Sequence, residues 1–270
     1  MSAVLAFEDV TFAYPGNAAL AGVTFSLAAG ERVALVGRNG AGKSTLLRLV
    51  TGLLRPSAGV VRVGDWDAAQ RRPEELAHRV GSLFQHADQQ LFARTVGDDV
   101  AFGPRVTGAA PPEVAARVER ALASLGLVDV AGEHPYDLPP PQRKLVALAG
   151  VLALEPGLLA LDEPTAGLDR RARSRVAATL AARAEGGTAL LVVTHDLGFA
   201  AEVLERSLVL EQGRLVRDTS LAGLLGESER LESLGLVAPP LARLSRALAL
   251  PGGPVREAEV AHALAERCRA

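Results

Sequence analysis

Gly37-Arg38-Asn39-Gly40-Ala41-Gly42-Lys43-Ser44-Thr45 carries the strongest fold signal in the sequence. It follows the apolar run Val33-Ala34-Leu35-Val36 and opens onto Leu46-Leu47-Arg48-Leu49-Val50, which has helical character. Strand, glycine loop and helix in that order provide the context of a phosphate-binding loop. The glycines let the backbone turn tightly and bring N–H groups up to phosphate oxygens. A helix starting near Gly42 adds about half a positive charge at its N-terminus. Lys43 supplies a full charge for the β- and γ-phosphates, and the Ser44 hydroxyl is placed to coordinate Mg²⁺. The competing reading is a glycine-rich surface loop that happens to hold a lysine. Lysine occurs only at positions 43 and 144, which makes chance placement at this spacing a poor explanation. The chain is expected to bind a nucleoside triphosphate.

Composition sets the bounds around that loop. At 270 residues the chain is one large domain, or one domain with an appendage. Hydrophobic residues make up 49% and aromatics only 4%, so the core must be aliphatic and alanine-rich. A formal net charge of −2 argues against a broad basic face for nucleic acid. The single cysteine, Cys268, has no internal partner, which fits a reducing compartment. Residues 1–9 lack the basic start and long apolar stretch of a signal peptide. The longest uncharged apolar run, Leu145 to Leu154, is about half of what spans a bilayer. The expectation is a soluble protein, unless something else holds it at a membrane.

Along the chain, residues 4–14 alternate like a strand, Tyr14-Pro15-Gly16-Asn17 turns, and Val23 to Leu27 gives a second short strand. Val60-Val61-Arg62-Val63 before Gly64-Asp65 reads as a strand entering a hairpin. A buried strand from Val80 to Phe84 ends at Gln85. Beyond it the pattern turns helical: Thr95 caps one helix, Pro111-Pro112-Glu113 starts a second running to Leu125, and a third follows Pro141. Strand character returns at Leu158-Leu159-Ala160-Leu161-Asp162, then a helix over about 170–184, and a strand from Ala189 to Val193. A final strand pair flanks Gln212-Gly213. Strands alternating with helices imply a mostly parallel sheet. The rest is a tail of short amphipathic helices in which Leu241, Leu244 and Leu248 share one face, Val260 and Leu264 another, punctuated by Pro251-Gly252-Gly253-Pro254.

The candidate chemistry lies at strand ends, where α/β sheets put active residues. Asp162 would hold Mg²⁺ through its hydration shell and Glu163 would polarise the attacking water. Alone, such an acidic pair is as well explained by a helix-capping loop; downstream of a phosphate loop the functional reading prevails. His195 closes the strand ending at Thr194, where its imidazole reaches for a γ-phosphate, although lone histidines are commonly structural. The Gln85 amide would sense the metal and the water. Tyr14 would stack on adenine, the alternative being a packed turn tyrosine.

These residues, in this order, resemble the ATP-binding-cassette (ABC) ATPases: residues 37–44 match Walker A, Gln85 the Q-loop, 158–163 Walker B, Ala166-Gly167-Leu168-Asp169 the D-loop and His195 the H-loop. The resemblance covers residues 4–218. It implies a RecA-like P-loop α/β core with an N-terminal antiparallel β subdomain, an inserted helical subdomain over about 86–155 and, over 219–270, a helical tail read as a dimerisation element. Leu83-Phe84-Gln85-His86-Ala87-Asp88-Gln89-Gln90-Leu91-Phe92, Asp99-Val100-Ala101-Phe102-Gly103-Pro104 and the tail around Pro239-Pro240-Leu241 are similar to ATPases of energy-coupling factor importers. Those importers take up vitamins, cobalt or nickel. Where that family often has Asn/Asp-Pro after the glutamine, this chain has His86-Ala87. The resemblance implies ATP and Mg²⁺ as ligands, a second ATPase subunit, integral membrane subunits as partners and a place on the cytoplasmic face of the membrane.

One motif departs. At the five positions of the family's Leu-Ser-Gly-Gly-Gln signature stands Leu138-Pro139-Pro140-Pro141-Gln142. The family's segment faces the ATP of the other subunit, with a serine hydroxyl and backbone N–H groups; proline offers neither. A homodimer would then carry that defect in both sites and a heterodimer in only one, so the heterodimer is the favoured expectation. A chain impaired by late-arising prolines, a non-hydrolysing regulatory subunit and a soluble cassette acting on ribosomes or DNA stay open as alternatives.

Overall fold

The computed structural model describes residues 3–250 and 256–269. The chain begins with two long antiparallel strands, β1 (Leu5–Tyr14) and β2 (Asn17–Leu27), then β3 (Arg32–Val36), the helix α1 (Lys43–Val50), β4 (Ala58–Val63) and β5 (Trp66–Asp67). A short helix α2 (Pro73–Leu76) leads to β6 (Val80–Leu83). Three helices follow: α3 (Val96–Val106), α4 (Pro111–Leu125) and α5 (Pro140–Ala153). Then come β7 (Leu158–Asp162), α6 (Arg170–Glu185), β8 (Ala189–Val193), α7 (Leu197–Val203), β9 (Arg206–Glu211) and β10 (Arg214–Ser220). Helices α8 (Leu221–Gly226), α9 (Ser228–Ser233), α10 (Pro240–Ala247) and α11 (Glu257–Arg269) end the chain.

Two sheets result. A four-stranded antiparallel sheet has the order β2-β1-β4-β5, and a six-stranded sheet the order β10-β9-β3-β8-β7-β6. In the larger sheet β9, β3, β8, β7 and β6 run parallel, and only β10 is antiparallel. Side chains alternate across a strand, and the parallel strands use both faces. Val33, Leu35, Leu158, Ala160, Leu191 and Leu208 point to a core shared with α1 and the antiparallel sheet. Ala34, Val36, Leu159, Leu161, Leu190 and Val192 point into a second core built with the helices. That double burial explains why these strands read as continuous apolar runs.

The β1–β2 hairpin is tighter and longer than the apolar pattern suggests. β2 starts at Asn17, paired with Tyr14, rather than at Val23. Ala18 and Ala19 carry no strand signature, yet the Pro15-Gly16 turn, with Gly16 at φ 80°, delivers them into register. Helix α2 has no counterpart in the sequence pattern; its four residues are too few for a periodic signal, and only Pro73 in its first turn marks it. The third helix of the helical block begins at Pro140, one of the three prolines. Trp66 is half-buried, with the guanidinium of Arg79 at 3.7 Å and that of Arg71 at 4.6 Å from its ring centre.

The start of the tail is welded to the body. Leu221, Leu224, Leu225, Leu231, Leu234 and Leu236 all belong to the helical-side core, and Arg230 pairs with Glu211 of β9 at 2.9 Å. In α10 the buried residues are Ala242 and Ser245, while Leu244 is 42% exposed. The leucine face formed by Leu241, Leu244 and Leu248 is therefore not the face that packs inward. Small residues on the neighbouring face are the buried ones, Leu241 and Leu248 are half-buried, and Leu244 is left toward solvent. Val260 is buried as its pattern suggests, whereas Pro251 to Pro254 lie outside the described residues. No helix among the described residues is long and apolar enough to cross a membrane.

Leu231 is fully buried on α9. Replacing it with alanine should destabilise the whole chain by about 2–5 kcal/mol in denaturant unfolding, as for other core leucines; a tail that unfolds independently would leave the main transition unmoved.

Candidate functional site

The parallel arrangement brings four strand ends to one edge. In sheet order, β3 releases the Gly37–Gly42 loop, β8 releases Thr194-His195, β7 releases Asp162-Glu163 and β6 leads to Gln85. A cleft of about 1360 Å³ opens along this edge, lined among others by Tyr14, Lys43, Gln85, Asp162, Glu163 and His195.

The glycine loop takes its path because side chains are excluded from it. A Cβ on Gly37 would stand 2.2 Å from the Leu210 carbonyl of β9. Gly42, at φ 105°, would place one 2.5 Å from the Ala19 carbonyl of β2. The loop is thus pressed against two strands, and only glycine fits. Helix α1 starts at Lys43 with no side-chain cap on its N-terminus. Its first-turn N–H groups have no intrahelical acceptor and face the cleft beside Lys43, Ser44 and Thr45. An uncapped helix start is a ready anion site. Arg38, Asn39 and Gly40 also line the cleft, whereas Ala41 is buried behind the loop at 4% exposure.

Lys43 is itself 8% exposed, and its ammonium donates to the carbonyls of Gly37 at 2.7 Å and Arg38 at 3.0 Å. Burial lowers its pKa from the ordinary lysine value, and the negative charges of Asp162 and Glu163 oppose that shift. The Ser44 hydroxyl donates to Asp162 Oδ2 at 3.0 Å. A hydroxyl and a carboxylate in contact, both oxygen donors on the phosphate side of the cleft, fit a hard cation such as Mg²⁺.

Glu163 is held on every side. Its N–H donates to Val193 O at 2.9 Å, and its carboxylate accepts from the His195 N–H at 2.9 Å and the Thr194 hydroxyl at 3.3 Å. The His195 ring lies beside it, Nε2 to Oε1 at 3.7 Å. Burial raises the Glu163 pKa, while His195 and the hydrogen bonds from 194 and 195 pull it back. Its backbone sits at φ 51°, a left-handed conformation that costs a non-glycine residue about 1–3 kcal/mol. Such strain persists only where surrounding contacts over-determine it, as they do here.

Tyr14 lines the cleft beside the first turn of α1, edge-on to Phe12 at 4.9 Å, its hydroxyl 3.5 Å from Thr45 Oγ1. The signature-position residues lie apart from this cleft. Leu138 is buried in the helical-side core, and Pro139, Pro140 and Pro141 are exposed at the start of α5 with Gln142 half-buried behind them. Asp169 is the N-cap of α6, its carboxylate accepting from Ala172 N–H at 2.7 Å.

Several cleft residues carry no local signal in the sequence. Ala18 and Ala19 enter through the β2 extension, Gln212 through the β9–β10 turn, and Leu234-Gly235 from the tail. Thr194 reads from sequence only as a strand residue. Lys144 donates to the carbonyls of Glu163 and Ala166 at 3.1 and 2.8 Å; its rarity as a lysine is the available clue.

Known proteins resemble this chain in sequence and in fold. The ABC transporter family model matches residues 20–166. The cobalt import ATP-binding protein CbiO of Rhodobacter capsulatus is 40% identical over 260 residues, covering 94% of this chain and 92% of that protein. The energy-coupling factor transporter ATP-binding protein EcfA of Carboxydothermus hydrogenoformans is also 40% identical, over 90% of each chain. Among solved structures, CbiO1 from Clostridium perfringens, part of the CbiONQ complex, superposes with a TM-score of 0.76 at 31% identity, over 93% of this chain and 100% of that one.

Removing the buried ammonium with Lys43→Ala should weaken ATP binding by at least about 100-fold. A nucleotide titration with unchanged affinity would refute the phosphate assignment.

Proposed function

This chain belongs to the ABC transporter family of ATPases, and we propose that it is the ATP-hydrolysing subunit of an energy-coupling factor importer for a vitamin or for cobalt or nickel. The CbiO and EcfA relatives, similar over nine-tenths of the chain, support the importer reading. In this reading Tyr14 stacks on adenine, and the α1 N-terminus with Lys43 neutralises the β- and γ-phosphates. Ser44 and Asp162, with Gln85 across the cleft, are the residues that would hold Mg²⁺. When bound, that ion supplies Lewis-acid polarisation of the phosphate oxygens. Glu163 orients a water and takes its proton as the oxygen attacks the γ-phosphorus, breaking the bond to ADP. His195 donates a hydrogen bond to the γ-phosphate from beside Glu163.

The observation that carries the partner reading is the start of α5. Pro139, Pro140 and Pro141 have no N–H, and the N–H groups of Gln142 and Arg143 are already donated to Pro139 O at 2.9 and 3.1 Å. A segment so built offers a phosphate no backbone donor. Each missing charge-assisted hydrogen bond is worth about 1.5–3 kcal/mol, so any ATP site this segment completes is weak. The cleft residues of the chain itself are intact. A heterodimer, in which a second ATPase subunit brings a sound signature to this chain's ATP, satisfies both facts; the alternative, a non-hydrolysing structural subunit, leaves the intact cleft unexplained. Membrane subunits would dock beside Gln85, where Phe92 and Phe102, 63% and 46% exposed, pack edge to face at 4.7 Å.

With the second ATPase subunit present, Glu163→Gln should leave ATP binding intact and accumulate an ATP-bound heterodimer, visible by size-exclusion chromatography; separate subunits at saturating ATP would count against ATP holding the pair together. Pro139→Ser combined with Pro140→Gly and Pro141→Gly should raise turnover of the isolated chain at least about tenfold. No gain would mean that the missing donors do not limit turnover.

A further inference from the structure

Of the 29 basic residues only Lys43 and Lys144 are lysines. Lys43 is accounted for by the phosphate loop. Lys144 lies on α5, just past the proline segment, and its ammonium reaches across to the loop after β7. There it donates to Glu163 O at 3.1 Å and to Ala166 O at 2.8 Å. These carbonyls are the two ends of one turn, which Ala166 N–H closes onto Glu163 O at 3.3 Å. Ala166 itself lines the cleft.

We propose that Lys144 is a positioning residue for Glu163, clamping the 163–166 turn so that the carboxylate stays aimed at the cleft. This rests on the reading of Glu163 as the group that activates water. Glu163 holds φ 51°, and Pro164 follows it. A residue before proline is disfavoured in the right-handed helical region, so the ready escape from the strained conformation is extended backbone. That change swings the side chain away from the His195 N–H. The N–H and carboxylate of Glu163 are fixed from β8 and the residues after it. Its carbonyl is fixed from α5, by Lys144. A compact ammonium with three divergent donors suits two carbonyls on one turn, whereas the flat guanidinium fork of arginine matches a carboxylate. The clamp also ties the start of α5 to the carboxylate that does the chemistry.

The test compares the full-length chain with its Lys144→Met variant. Backbone hydrogen exchange at the His195 amide, whose N–H the Glu163 carboxylate accepts, should speed up at least about tenfold while exchange in β3 and β8 stays unchanged. Single-turnover hydrolysis of labelled ATP should slow at least about tenfold with the ATP dissociation constant within twofold. In a Glu163→Gln background the same substitution should change the residual rate less than twofold. Unchanged exchange at His195 overturns the proposal, and so does an equal loss of rate in the Glu163→Gln background. If Lys144→Met fails to fold, Lys144→Arg takes its place in the same three measurements, with the same results supporting or overturning the clamp. Glu163→Gln alone keeping full turnover would instead sink the water-activation reading, leaving the exchange result to judge the clamp.

Discussion

The hydrogen bond from Ser44 to Asp162 at 3.0 Å joins residues 118 positions apart, and the rest of the molecule can be understood as what holds its two ends still. Ser44 is fixed by a helix that starts where a glycine loop, squeezed against β2 and β9, has no freedom left. Asp162 is fixed by a strand buried on both faces. Neither residue has a functional setting by itself. The parallel sheet turns two distant segments into one wall, and it does the same for Thr194-His195 and Gln85 because their strands run in the same direction.

Two helix starts in this chain show how little separates an anion site from its absence. Helices α1 and α5 both begin with backbone dipoles pointing outward. At α1 the first turn is uncapped, its N–H groups open to the cleft beside a buried ammonium. At α5 three prolines delete the donors and the next two N–H groups turn back onto Pro139. The helix forms well in both cases, since proline is at home in a first turn. What differs is the number of hydrogen atoms presented to a ligand. A helix can therefore keep its architecture and lose its backbone donors, and the proposal of unequal sites in an assembled dimer rests on that difference.

Much of this is legible in the residues. The phosphate loop has a mechanism at nearly every position, and the apolar runs before Gly37, Asp162 and Thr194 are the signature of strands buried on two faces. Helix starts are marked well at Thr95 and Pro111, each of which stands where a helix begins. What escapes has a tertiary cause. Ala18-Ala19 are strand because a tight turn lays them beside β1, not because alanine favours a sheet. Leu244 of α10 is exposed because its smaller neighbours Ala242 and Ser245 are the residues packed against the body. Leu234-Gly235 reaches the cleft through a chain path that no local pattern encodes. Lys144 is visible as a rare residue, but its target carbonyls lie on a loop 19 and 22 residues away.

The proposed function stands on a magnesium–ATP complex lying between Lys43 and Glu163. A structure of the chain with Mg²⁺ and a non-hydrolysable ATP analogue would decide the matter. The γ-phosphate should lie within hydrogen-bonding reach of the Lys43 ammonium, the ion beside Ser44 and Asp162, and the Glu163 carboxylate should face the phosphorus. Nucleotide bound elsewhere, or Glu163 turned away from the terminal phosphate, would be incompatible with the proposed chemistry.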